Sequence, residues 1–235
     1  MKTAGIIGGI APESTIDYYR QIVAACHQRA SSYPALIINS IDLTKMLDLI
    51  AMDRDAATQY LVAEVKRLAD AGADFAAMAS NTPHLIFDEI RRRSPIPMIS
   101  IVDATTAAAR VAGLARLGVF GTRFTMQGRV YPDAIVPAPE EQEFIHDKYM
   151  NELVKGTFLP ETRNELLAIA RRMVERDAID GLILGGTELP LLLRDAEPQG
   201  IPFLDTTKIH VNAIVEEMLS PTPQSDTARS SRRAG

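Results

Sequence analysis

Apolar runs of strand length alternate with stretches of helical period along most of this chain. Residues 4–7, 35–39 and 75–79 are such runs, and residues 60–71 read as a helix between the second and third. The first run enters a glycine-bearing turn, Gly8-Gly9-Ile10-Ala11-Pro12-Glu13-Ser14-Thr15, in which Ser14 or Thr15 is expected to cap the following helix. In that helix Ile16, Tyr19, Val23 and Cys26 recur at spacings of three and four, which predicts one buried stripe. The cycle continues with a strand over 97–102, a helix over 104–112 and a strand over 116–120 that runs into Gly121-Thr122-Arg123-Phe124-Thr125. A closing helix is expected over 209–218, preceded by Asp205 as a helix cap, with His210 in a structural place one turn inward. Strand and helix in strict alternation argue for parallel sheet and an α/β fold.

Two stretches resemble each other. Ala77-Met78-Ala79-Ser80-Asn81-Thr82-Pro83-His84 and Leu182-Ile183-Leu184-Gly185-Gly186-Thr187-Glu188-Leu189 are each an apolar run ending in a polar tip, opened by Asp74 and Asp180. The offsets agree, 180 − 74 = 106 and 186 − 80 = 106, and Ile96-Pro97 returns as Ile201-Pro202 at 201 − 96 = 105. An internal duplication predicts two pseudo-symmetric parallel-sheet α/β lobes, one of residues 1–102 plus 208–219 and one of 103–207, with the active site in the cleft between them. Residues 220–235, polar and proline-bearing, are expected to be a disordered tail whose arginines are solvated.

Composition narrows the partner. With 235 residues and 46% hydrophobic content the chain supports a sizeable core, and a net charge of −5 argues against nucleic acid or an anionic membrane and for a small molecule. No apolar run reaches membrane-spanning length and no secretory leader is legible, so a cytoplasmic protein is expected. One cysteine excludes an internal disulfide, and four scattered histidines offer no metal spacing, so no metal is expected.

In open α/β sheets ligands bind beyond the carboxyl ends of the strands, where helix N-termini present unpaired N–H groups. Four tips, 8–15, 80–82, 121–125 and 186–188, carry hydroxyl or amide side chains suited to a carboxylate. Three of them, Gly8 to Thr15, Ser80-Asn81-Thr82-Pro83-His84 and Leu184-Gly185-Gly186-Thr187-Glu188-Leu189-Pro190, resemble the signatures of the aspartate/glutamate racemase superfamily over residues 3–218. The resemblance implies a cofactor-independent enzyme, PLP-independent and metal-independent, often a homodimer, acting on a small carboxylate or amino acid. It also implies a cysteine before Asn-Thr in the first half and before Thr-Glu in the second. Ser80 and Gly186 stand at those positions, and Ala11 replaces a signature glycine.

The resemblance further implies that Asn81, Thr82, Thr122, Thr125 and Thr187, with Gly186 among them, bind the substrate, and that Lys155 supplies a positive charge; Lys45 is the only cation over 44–48. Read as a residue alone, Lys155 is a solvated charge. Ser80 is a weak acid, a hydrogen-bond donor to the ligand, or a helix cap, and to act it needs a base beside it. His84, four residues on, is that base or a structural helix residue. Glu188, near a helix N-terminus and expected ionised, is a proton-transfer group or satisfies backbone donors, and Glu13 carries the same ambiguity. Cys26 lies 26 − 14 = 12 residues along the first helix, roughly 18 Å from its tip at 1.5 Å per residue. Three functions compete: carbanion or enediolate chemistry by a lyase, decarboxylase or isomerase; aspartate/glutamate racemisation with noncysteine groups; and an inactive ligand-binding homologue. In the first, Gly186 is expected to enlarge the pocket.

Overall fold

A computed structural model describes residues 1–10, 12–193 and 200–221. The elements run β1 (Ala4–Gly8), α1 (Pro12–Ala30), β2 (Leu36–Ser40), α2 (Leu43–Met52), α3 (Arg54–Asp70), β3 (Phe75–Met78), α4 (Phe87–Arg93), β4 (Met98–Ile99), α5 (Ile101–Val111) and β5 (Leu117–Phe120). They continue with α6 (Arg123–Gln127), α7 (Pro139–Asn151), α8 (Pro160–Asp177), β6 (Gly181–Leu184), α9 (Leu189–Leu193), β7 (Phe203–Asp205) and α10 (Thr206–Leu219). Every strand pair is parallel, in two sheets ordered β2-β1-β3-β4 and β5-β6-β7. The central strands are apolar on both faces because helices cover both. Ile6, Phe75 and Ala77 pack on Tyr18, Ile22 and Cys26 of α1 and on Val211, Ile214 and Val215 of α10, whereas Ile7, Ala76 and Met78 pack on α2, α3 and α4.

The sequence repeat is a repeat of backbone bonding. Asp74 N donates to Thr3 O and Asp180 N to Arg116 O, both at 2.9 Å, and each aspartate carboxylate accepts N–H bonds at the start of the neighbouring strand: Thr3 N on Asp74, Ala115 N and Arg116 N on Asp180. Ala76 N reaches Pro97 O at 2.9 Å and Leu182 N reaches Pro202 O at 3.0 Å. The sheet β5-β6-β7 is thus the counterpart of β1-β3-β4. Where the first sheet has β2, the second has a single parallel bridge, Gly118 to Ile135.

Several boundaries differ from the sequence expectation for local reasons. The buried stripe of α1 is Ser14, Tyr18, Ile22 and Cys26, while Ile16 and Tyr19 are 43% and 50% exposed. Tyr18 wins the inward position because its hydroxyl meets the buried His210 Nδ1 at 2.9 Å. Helix α1 begins at Pro12, so neither Ser14 nor Thr15 is its cap; Thr15 Oγ1 instead accepts the Gly9 N–H at 2.8 Å and closes the turn. Ala11 lies outside the described residues. The strand expected over 97–102 shortens to Met98–Ile99, since Ser100 Oγ accepts the Asp103 N–H and starts α5 at Ile101. Helix α3 starts at Arg54 rather than 60, capped by Asp53, which accepts from Asp55 N and Ala56 N. Asp205 caps α10 by accepting from Lys208 N at 2.9 Å. Of the expected tail, residues 222–235 lie outside the described residues. Among the described residues no helix is long and apolar enough to cross a membrane.

Gly9 sits at the first turn with φ +80°, and a Cβ there would lie 2.4 Å from Ile41 O. A left-handed conformation costs an L-residue about 1–2 kcal/mol before any clash. Gly9→Ala is therefore expected to lower unfolding free energy by more than about 2 kcal/mol, and urea denaturation checks it; an unchanged midpoint would refute this account of the turn.

Candidate functional site

The carboxyl ends of β1, β3, β5 and β6 meet where the two sheets approach. The loop after β3 forms a 3-10 turn at Thr82–Ile86, and the loop after β5 starts α6 with Thr122, whose Oγ1 accepts the Thr125 N–H. Thr82 Oγ1 lies 3.1 Å from Thr122 Oγ1 and 3.4 Å from Thr125 Oγ1, and the latter two are 3.2 Å apart. The result is a buried triangle of hydroxyls contributed by both halves. Beside it Asn81 is a brace: Oδ1 accepts from Tyr131 Oη at 2.7 Å and Nδ2 donates to Thr206 Oγ1 at 3.2 Å. Both partners belong to the second half, so Asn81, expected to hold ligand, also ties the two halves together.

The other centre is at Gly186. A Cβ built there would stand 2.3 Å from Tyr149 Cε2 and 2.9 Å from Tyr149 Oη, so the α7 ring occupies the space of a residue-186 side chain. The pocket enlargement expected from Gly186 does not occur, because an aromatic ring has filled it. Tyr149 Oη donates to Glu188 Oε2, and Thr187 Oγ1 and Ser14 bond the same carboxyl. Glu188 is fully buried, and burial pushes its pKa up against the pull of these bonds. Burial, with the Glu188 charge next, holds the Tyr149 phenol well above its ordinary value.

Ser80, Thr82, Thr122 and Tyr149 line one cavity with Ile10, Leu43, Leu47, Met150 and Val154, and it has ≈ 10 Å³ of space. That is about the space of one water. The Ser80 hydroxyl bonds none of the described residues and is free to meet a ligand. Its expected base is not beside it. His84 Nδ1 donates to Ser80 O at 3.0 Å and Nε2 accepts the Ile101 N–H at 3.2 Å, which fixes one neutral tautomer and leaves no lone pair for the hydroxyl. Burial, with His210 second, lowers the His84 pKa to about 3. His210 is the second neutral imidazole, between the Tyr18 hydroxyl and Ile99 O, its pKa lowered by burial to about 4.

The remaining candidates stand apart from the cavity. Glu13 is half-buried, with Oε1 3.6 Å from where a Gly156 Cβ would lie, and it does not line the cavity. Lys155 is exposed, with Nζ 3.4 Å from Asn151 Oδ1, and Lys45 lies over the Tyr60 ring. The described residues lining the cavity carry no positive charge. Among the described residues no group of three or more His, Cys, Asp or Glu is placed to hold a metal ion. Tyr149 and Tyr131 are the site residues that motif reading passed over, and Ser14, expected as a helix cap, bonds Glu188. The one available signal was that a glycine at a conspicuous tip leaves a volume some other side chain must fill.

The model of the Asp/Glu/Hydantoin racemase family matches residues 7–214. The broad specificity amino-acid racemase RacX of Bacillus subtilis (strain 168) is 24% identical over 227 residues, which is 92% of this chain and 98% of the relative. Among solved structures, PH1733, an aspartate racemase homologue from Pyrococcus horikoshii OT3, is 31% identical with a TM-score of 0.80, covering 94% of this chain and 100% of that one. Arylmalonate decarboxylase shares the fold alone, at 13% identity and TM-score 0.54 over 94% of each chain.

Two predictions follow from this geometry. Gly186→Ala forces the Tyr149 ring out and is expected to cost about 1–3 kcal/mol, as overpacking does; Tyr149→Ala in the same chain removes the obstruction, so the Gly186→Ala penalty measured in that background falls below half. Equal penalties in both backgrounds, by urea titration, would contradict the packing. The histidines give the second. Their folded pKa values of about 3 and about 4 lie below the ordinary 6.5, so the folded form stays neutral while the unfolded chain takes up protons below 6.5. Their stabilisation is complete above that pH and is lost on acidification, at about 1.4 kcal/mol per pH unit for each histidine. NMR of the imidazole Cε1–H signals is expected to find that the His84 and His210 rings do not titrate between pH 7 and roughly 5; either of these two rings titrating near pH 6.5 would contradict this.

Proposed function

This chain belongs to the Asp/Glu/Hydantoin racemase family, and on that footing we propose that it is a cofactor-independent enzyme forming a carbanion or enediolate at the α-carbon of a small carboxylic acid or amino acid. The reaction class is lyase, decarboxylase or isomerase rather than two-thiol racemisation. The observation that carries the reading is a small cavity lined by Ser80, Thr82, Thr122 and Tyr149, residues from both halves, with no cysteine in its wall.

Exchange of an α-proton between two faces needs a competent base on each, and the resemblance places that chemistry on thiols at 80 and 186. The chain's one cysteine, Cys26, packs in the core between α1 and α10 with its thiol pKa pushed up by burial. It is inert there. Hydroxyl and backbone N–H donors aimed at one carboxylate stabilise the charge that develops on an enediolate, and a reaction that needs one proton donor asks for no second base. Neutral donors without a lining cation suit a single carboxylate better than two, which moves the preferred substrate away from aspartate and glutamate.

A second reading, a binding homologue without turnover, is favoured by the missing base beside Ser80. A thermal-shift panel of amino acids, hydroxy acids and substituted malonates followed by 1H NMR in D2O separates the two. A ligand at 100 times its Kd adds about 2.7 kcal/mol, roughly 5–10 °C in a domain of this size. Loss of the α-proton signal or release of CO2 from a stabilising compound is the outcome expected of the enzyme. Stabilisation without either supports the binding homologue, and no response from any acid refutes both.

A further inference from the structure

Resting on the enzyme reading above, we propose that Tyr149 is the catalytic acid of the cavity, delivering its phenolic proton to the substrate α-carbon from the Gly186 side, with Glu188 as the positioning residue that resupplies it. The phenol does not fall near Gly186 by chance of a loose surface. It lines the same cavity as Ser80, Thr82 and Thr122, and its Oη lies 2.9 Å from where a residue-186 Cβ would be. A hydroxyl on α7 therefore reaches the place that a side chain on the β6 tip would otherwise command. The missing side chain at 186 and the intruding one at 149 are one arrangement.

Glu188 gives that phenol a proton source. It is buried, bonded by Tyr149, Thr187 and Ser14, and is the nearest acidic group acting on the phenol. An ionised carboxylate beside a newly formed phenolate would be two like charges out of water, a costly pair. The hydrogen bond between Tyr149 Oη and Glu188 Oε2 is the path along which the pair shares a proton, and burial, by raising the Glu188 pKa, acts in the same direction. Tyr18, fully buried, is occupied by His210.

The step balances. When a malonate loses CO2, the electron pair of the broken C–C bond passes into the enediolate and then forms a C–H bond at the α-carbon while the Tyr149 O–H bond breaks. The phenolate recovers a proton from the Glu188 carboxyl, and the Glu188 carboxylate takes one from water before the next turnover. No oxidant, reductant or co-reactant enters. Ser80, with a free hydroxyl and no base, serves on the carboxylate rather than on carbon.

The test uses the full chain with L-alanine, L-aspartate and phenylmalonate as probes, followed by 1H NMR in D2O. Tyr149→Phe keeps the ring against Gly186 and removes only the hydroxyl. The expected result is decarboxylation of phenylmalonate by the unaltered protein, with one deuteron at the α-carbon of the product, and a loss of about 10²–10⁴-fold in kcat for Tyr149→Phe, with KM and the ligand-induced Tm shift within about twofold; α-deuteration of L-alanine or L-aspartate alone, which needs a base to remove the α-proton, overturns the assignment and leaves the enzyme reading standing. Glu188→Gln is expected to abolish the alkaline limb of the pH–rate profile, which a purely structural role would leave in place. Tyr149→Phe retaining kcat within about threefold overturns the assignment and leaves the enzyme reading standing. An unaltered protein inert towards all three probes overturns this proposal together with that reading.

Discussion

Polar groups buried between two sheets must find partners across the junction, and nearly everything about this site follows from that requirement. An unpaired buried donor or acceptor costs about 1–3 kcal/mol, so Asn81 is useful only because Tyr131 and Thr206 complete it. Thr82 likewise needs Thr122 and Thr125. These bonds hold the loop after β3 to the loop after β5 and to the start of α10, which fixes how the halves face each other. The Ser80 hydroxyl, left without a partner in the same neighbourhood, is the group a ligand is free to use.

The second constraint is steric. A glycine at the β6 tip and a tyrosine on α7 are complementary shapes: neither is explained by its own surroundings, and each is required by the other. A ring in a volume meant for a small side chain also brings a hydroxyl deep into the junction, and a buried phenol must be satisfied. Glu188 satisfies it. A carboxyl that is 0% exposed is in turn tolerable only with several donors around it, which Ser14 and Thr187 supply with Tyr149. One glycine thus entails a chain of burial running from α7 through the β6 loop to the first turn of α1.

Strands and the duplication were legible because their causes are local. An aspartate that ties the start of the neighbouring strand, and a proline carbonyl that pairs with the middle of β3 or β6, leave marks at fixed offsets. The phase of α1 was not legible, since Tyr18 faces inward for the sake of His210, with |i−j|=192 between them. His84 looked like a neighbour for Ser80 because four residues make one helical turn; its ring in fact bonds the Ser80 carbonyl and the Ile101 amide, with |i−j|=17 for the latter. Tyr149 carried no motif at all. Its meaning lies in a contact with |i−j|=39 and in a space at Gly186 that only coordinates reveal.

The duplication is most informative where it fails. Both halves build the same three-strand core, but the first adds β2 as a full strand while the second reaches that position only with Ile135. The segment freed from strand duty runs past Tyr131, whose hydroxyl then closes the Asn81 brace. The tips diverge in the same sense: one half ends in a serine with an unengaged hydroxyl, the other in a glycine covered by a phenol and backed by a carboxyl. A site serving two mirror-image faces would need matched groups on both, whereas these two ends differ in acidity, reach and burial. The two tips are therefore unequal in chemistry as well as in shape.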